Sequence, residues 1–279
     1  MTETANILPE GGAHEGHHTS IWPFLIGIAA AISFGGLATH LAVTVVGVGL
    51  FIFAVGGWLV QDRTVKFGVV EGPIEDHPFR GISMRKLGIW IFLATEVIFF
   101  MGIMGMSFAL RVRTEATLAP TLPGGTWAAP GFILIASSFT MVEALRSAEM
   151  GNQTRLRMFL LATLLLGITF VSIQAYEYQK LFLEEGLRPW GLDRAVFLES
   201  HPGEPFPAWG QTYGTTFYVQ TGFHGAHVSG GVLGLAFLTA KAFKGGYSQK
   251  NHEAIELVGL YWHFVDVVWI FLFTVVYLV

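Results

Sequence analysis

Residues 22–60 read WPFLIGIAAAISFGGLATHLAVTVVGVGLFIFAVGGWLV, 39 positions from Trp22 to Val60 without an Asp, Glu, Lys or Arg. A helix needs about 20 apolar residues to cross roughly 30 Å of hydrocarbon at about 1.5 Å per residue. The stretch is too long for one span and fits two joined by a tight turn near His40, so a transmembrane hairpin is expected. Working outward, Leu87–Leu110 contains a single charge, Glu96; Trp127–Leu145 contains only Glu143; Met158–Tyr178 contains only Glu177. Tyr213–Ala240 contains none, and Ile255–Val279 carries Glu256 and Asp266. Seven apolar spans result, which makes the expected fold an all-α membrane protein.

The whole chain agrees. Of 279 residues, 52% are hydrophobic and 13% charged, where a soluble domain carries about 25% charged residues. That composition excludes disorder and a basic nucleic-acid-binding surface. No cysteine is present, which excludes thiolate catalysis, iron–sulfur clusters and Cys-ligated zinc. A formal net charge of −4 singles out no partner.

The placement of Lys and Arg sets the orientation. With the N-terminus inside, eleven of the 16 fall on inner segments (Arg63, Lys66, Arg80, Arg85 and Lys86; Arg146, Arg155 and Arg157; Lys241, Lys244 and Lys250). The outer segments hold the other five, Arg111, Arg113, Lys180, Arg188 and Arg194. The expected organisation is a polar tail over 1–21, the hairpin over 22–60, an inner connection over 61–86, and five further spans over 87–279 with a long outer connection at 179–212. The tail holds His14, His17 and His18 but no Lys or Arg, so the first span is read as retained rather than cleaved. The tail histidines are read as solvated. The outer connection, with Pro189, Trp190, Pro202, Pro205, Pro207 and Trp209, either packs against something or caps its own helix ends.

An ionisable group near mid-membrane costs roughly 2.5–3.5 kcal/mol on insertion scales, so each requires an account. Glu96, the tenth residue of its span, lies about 15 Å deep. His224 and His227, the twelfth and fifteenth residues of theirs, share a helix face through their i, i+3 spacing. His263 and Asp266 repeat that spacing at similar depth in the next span, and Glu256 lies two turns before His263 on the same face. A polar layer between the sixth and seventh spans is expected, with Glu96 apart from it and alone. Haem or non-haem metal ligation by the histidines is one account of the layer; ordinary interhelical hydrogen bonding, averaging about 0.6 kcal/mol, is the default. Glu96 is either a proton-carrying carboxylate or a neutral, hydrogen-bonded one. Glycines Gly35, Gly36, Gly47, Gly49, Gly56 and Gly57 in the hairpin, and Gly230 and Gly234 in the sixth span, mark either close helix packing or grooves filled by lipid. A retinal protein is excluded, because the last lysine, Lys250, precedes the last span. No nucleotide-binding loop, His-Glu-x-x-His or Gly-x-Ser-x-Gly pattern is present. No internal repeat of the transporter kind is seen.

The C-terminal run Tyr261-Trp-His-Phe-Val-Asp-Val-Val-Trp-Ile-Phe-Leu-Phe resembles the end of subunit III of cytochrome c oxidase, the haem-copper terminal oxidase. Tyr213-Gly-Thr-Thr-Phe-Tyr-Val-Gln-Thr-Gly-Phe-His-Gly-Ala-His-Val resembles the family's sixth helix and Gln174-Ala-Tyr-Glu-Tyr the end of its fifth. Thr95-Glu-Val-Ile-Phe-Phe resembles the third-helix motif carrying its buried glutamate. The likeness runs in order from about Leu87 to the C-terminus. It implies a subunit without haem or copper of its own and without a catalytic centre or metal site. That subunit packs against the oxygen-reducing, proton-pumping subunit I, which holds haem and copper, while subunit II receives electrons. It implies that the first two helices splay from a five-helix bundle around phospholipids, that the subunit supports proton uptake and protects the core during turnover, and that the cleft serves as a proposed oxygen route. The same resemblance implies proton-related or buried polar roles for Glu96, His224, His227, Glu256, His263 and Asp266, and a lipid-headgroup region at Trp58 and Arg63. The fourth span departs from the family, with Met141-Val-Glu-Ala-Leu-Arg146 where paired histidines are usual, and the outer connection is longer. The expected location is the bacterial plasma membrane, with the mitochondrial inner membrane as second reading. The alternatives are the same subunit of a quinol-oxidising haem-copper oxidase, an accessory subunit of a nitric oxide reductase and, from another class, a free-standing proton or metal transporter.

Overall fold

A computed structural model describes residues 20–64, 78–113, 128–184, 186–200, 202–203, 205–206 and 210–278. The tail histidines, most of the inner connection and the side chain of Arg63 lie outside the described residues. The chain divides into two compact units, Met1–Glu71 and Gly72–Val279.

The first unit contains the hairpin, α1 (Trp22–Thr39) and α2 (Leu41–Thr64). Pro23 sits in the first turn of α1, where a missing N–H costs no helical hydrogen bond. The turn falls at His40, whose backbone N–H donates to the Gly36 carbonyl at 2.8 Å. The two helices approach closely because Gly36 faces the backbone of Thr44 and Gly47 faces that of Ser33. A Cβ on Gly36 would lie 2.7 Å from Thr44 Cα, and one on Gly47 2.7 Å from Ser33 Cα. Gly57 makes room for the Trp22 ring, which also meets the edge of Phe53 at 5.9 Å. Gly49 and Gly56 face open space instead. Close packing therefore applies to Gly36, Gly47 and Gly57 and not to Gly49 and Gly56.

The second unit comprises α3 (Met84–Arg113), α4 (Ala128–Glu149), α5 (Gln153–Leu183), a two-stranded ribbon of β1 (Leu187–Arg188) and β2 (Gly191–Leu192), α6 (Arg194–Ser200), α7 (Gly210–Phe243) and α8 (Glu253–Phe273), which ends in a π-turn over Thr274–Leu278. Within these, Met84–Leu110, Pro130–Glu149, Gln153–Leu183, Thr212–Phe243 and Glu253–Val276 are each long and apolar enough to cross a membrane. With the two apolar hairpin helices they make up the seven expected spans. Helix α6 is short and joins two spans, so the sixth and seventh spans are α7 and α8. The helices overrun the apolar runs at most ends, because helix persists until a breaker or cap stops it. Between α4 and α5 that stop is Gly151 at φ 72°, followed by Asn152, whose side chain accepts from the Arg155 N–H at 3.1 Å.

Cross-links order the bundle. Thr140 and Thr163 meet at 2.8 Å between α4 and α5, and Gln174 Nε2 donates to the Thr221 carbonyl at 3.2 Å between α5 and α7. The centre is Trp262 of α8, 1% exposed, where four helices meet. Its indole N–H donates to Ser137 Oγ of α4 at 2.9 Å, and its ring lies over Gly167 of α5 and Gly231 of α7. The closest approach in α7 thus uses Gly231, while the expected pair Gly230 and Gly234 face Tyr261 and Val258 of α8 at ordinary contact distance. A Cβ at Gly231 would lie 2.7 Å from Trp262 Cε3. Gly231→Ala is expected to cost about 1–3 kcal/mol by overpacking, read as an earlier loss of the subunit when the solubilised complex is heated.

The outer connection shortens to 184–209, since α5 and α7 extend into it. Its base seals helix ends: Tyr218 Oη of α7 donates to the Leu187 carbonyl at 2.8 Å, and Leu187 is buried with Leu181, Tyr213 and Phe217. Arg188 pairs with Asp193 at 2.9 Å, and Asp193 caps α6 through the Ala195 N–H at 3.0 Å. Trp190, at the ribbon tip, is 68% exposed.

Candidate functional site: a buried carboxylate–imidazole pair

Glu96 on α3 is not alone. Its Oε2 lies 3.0 Å from His227 Nε2 on α7, and both side chains are 18% exposed. The two helices also join through Gln220 Nε2 and Ser107 Oγ. Moving forward along α3 from Glu96 to Ser107 moves backward along α7 from His227 to Gln220, so the pair is antiparallel. His227 Nδ1 lies 2.7 Å from the Phe223 carbonyl, one turn earlier in its own helix. A carbonyl only accepts, so Nδ1 carries a hydrogen. Nε2 of the neutral ring is then an acceptor, and a hydrogen bond to Glu96 requires a proton between the two groups. That proton sits on Oε2 with a neutral ring, or on Nε2 with a carboxylate. In either form the pair holds one shared proton and no net charge, which is how two ionisable groups reside at this depth. Phe100 meets the His227 ring edge-on at 5.0 Å, Phe99 lies at 6.3 Å, and Tyr261 Oη of α8 donates to the His227 carbonyl at 3.0 Å.

The other sequence-predicted residues separate into three environments, not a layer between the sixth and seventh spans. His224 is fully buried and stacks on Trp269 at 5.0 Å, with Phe170 edge-on at 5.9 Å. Neither of its ring nitrogens has a partner among the described residues. His263 Nδ1 meets Ser138 Oγ of α4 at 3.1 Å, and Ser138 also engages Asp266. These two residues therefore turn toward the fourth span. Glu256 corrects the sequence expectation most: it belongs to the first turn of α8 and pairs with Lys86 at the start of α3. Beside it Glu253 accepts from Ser83 and lies 3.5 Å from Arg85. This is a rim cluster, about a third exposed at Lys86 and Glu256, where ion pairs contribute about 0–1 kcal/mol. Lys86→Met is accordingly expected to lower the heat stability of the complex by less than about 1 kcal/mol. At the same end, burial pushes the Tyr247 phenol up to about 12, and it stays neutral with Lys241 Nζ 4.8 Å from its ring centre. Trp58 is 40% exposed on α2.

Ser137, Ser138, Tyr261 and Lys86 were not singled out from the sequence. Lone hydroxyls and rim lysines carry no periodic signal, and their partners are 34 to 170 residues away. Among the described residues, no group of three or more His, Cys, Asp or Glu side chains is gathered so that it could hold a metal ion.

Fold and site together define a multi-pass helical membrane protein in which Glu96 pairs with His227 and His263 with Ser138 between helices, while His224 is packed among aromatic rings. The family model for cytochrome c oxidase subunit III matches residues 200–279. A probable cytochrome c oxidase subunit 3 of Mycobacterium leprae is 35% identical over 205 residues, covering 73% of this chain and 92% of that protein. One of Nocardia farcinica is 34% identical with the same coverage, and cytochrome c oxidase subunit 3 of the carp Cyprinus carpio is 28% identical over 95% of this chain and 98% of its own length. The chain belongs to the cytochrome c oxidase subunit III family, and so to the subunits of a membrane oxidoreductase complex.

Proposed function

We propose that the chain is the non-redox accessory subunit of a proton-pumping cytochrome c oxidase of a bacterial plasma membrane, its N-terminus inside, with haems and copper in its partners. It packs against subunit I, stabilises it, and supports proton uptake while oxygen is reduced to water with electrons received through subunit II. The observation that carries this reading is the Glu96–His227 pair, which stores one proton without net charge inside a helix bundle. Such a pair shifts its proton across one hydrogen bond between a neutral form and an ion pair, with no change in net charge. The exposed apolar face of α3 turned away from His227, with Ile98 72% and Met101 65% exposed, is where a membrane partner or lipid fits. Open space at Gly49 and Gly56 supports a lipid-holding role for the hairpin. Trp190 at the ribbon tip fits a contact with subunit II. Withdrawing this chain from native membranes by an affinity tag is expected to bring haem-containing subunits with it in constant ratio. A chain that migrates without them contradicts the assignment.

A further inference from the structure

Toward the C-terminal end of α3 and the N-terminal end of α7, away from Glu96, the two helices part to form a crevice of about 160 Å³. Ile103, Met106 and Val219 form its apolar walls, and Ser107, Thr215 and Gln220 bring polar groups to it. Gln220 is 1% exposed. Its Nε2 donates to Ser107 Oγ, while its Oε1 has no hydrogen-bond partner among the described residues. Buried carbonyl oxygens are normally satisfied, so a bare one on a crevice wall marks where a donor binds. Met106 and Thr215 are exposed and leave the crevice open at its mouth. Gln220 is the ninth residue of the Thr212–Phe243 span, about 12 Å in from its end, and no described Lys or Arg lines the crevice. Depth and lining thus disfavour a phosphate and favour an uncharged O–H donor on an apolar body.

We propose that this crevice binds a hydroxyl-bearing amphiphile from the membrane, its O–H donating to Gln220 Oε1 and its apolar part lying against Ile103, Met106 and Val219. Two sources share that chemistry, an isoprenoid quinol and a diacylglycerol-type lipid. The test uses the assembled complex in nanodiscs with two probes, an azido-substituted isoprenoid quinol and a diacylglycerol bearing a diazirine in its acyl chain. After illumination, label is expected on residues 103–110 and 212–220 from at least one probe, and the probe that labels names the source. Gln220→Leu, which keeps the shape and removes the acceptor, is expected to lower that label by about fivefold, the weight of one hydrogen bond. Thr215→Phe fills the crevice from its exposed mouth without touching the core and is expected to lower it at least as much. Haem content reports assembly, and if Gln220→Leu does not assemble, Thr215→Phe decides. No label on these segments from either probe overturns the proposal, as does label retained in either assembled variant.

Discussion

Trp262→Ala is expected to cost about 3–5 kcal/mol and to release the subunit from the complex on mild heating. The ring is fully buried and packs against two glycines, Gly167 and Gly231, neither of which has a side chain that can turn into the space it leaves. Val232 lies behind Gly167 and Met141 beside Gly259, but both already fill their own sites. The cavity therefore stays open. The lost indole hydrogen bond is the smaller part, since Ser137 Oγ still donates to the Leu134 carbonyl at 2.7 Å. Trp262→Phe separates the two contributions: it keeps most of the ring and is expected to cost closer to the roughly 1 kcal/mol of a hydrogen bond. Equal heat stability of the two variants would show that packing at the four-helix junction is not what holds the bundle.

Glu96 supplies the second large effect, and two substitutions divide it. Glu96→Leu leaves His227 Nε2 facing no donor inside the bundle, at a cost of about 1–3 kcal/mol. Glu96→Gln places an amide N–H where the carboxyl proton was, so the link between α3 and α7 survives and the neutral ring is kept. Heat stability is then expected to follow wild type, close to Gln, above Leu. Sustained turnover is expected to follow a different order, wild type above both, because neither variant passes a proton. A purely structural glutamate gives the same order in both measurements.

The membrane architecture was legible because a charge in hydrocarbon is costly, so the charges mark the ends of spans. The uncharged run from Trp22 to Val60 became α1 and α2 with the turn at His40, and the other five apolar runs each became a helix. Deep residues were legible as deep for the same reason. Their partners were not. An i, i+3 spacing places His224 and His227 within about 60° of one another on a helix, yet a helix in a bundle has several neighbours, and that angle is enough to turn one ring to Glu96 and the other onto Trp269. Likewise Glu256 shares a face with His263, but sitting two turns earlier puts it at the rim with Lys86. The rotation of each helix about its own axis is set by where the glycines admit Trp262, and that depends on contacts between α4, α5, α7 and α8 that no single span displays.

The shared proton of Glu96 and His227 is the centre of the functional account, and one time course tests it most directly. Oxygen consumption by the assembled oxidase carrying Glu96→Gln is followed through many turnovers beside the wild type at equal haem content. The expected result is full assembly with slowed proton uptake and earlier loss of activity; a variant that holds wild-type rate and proton uptake to the end of the course contradicts it.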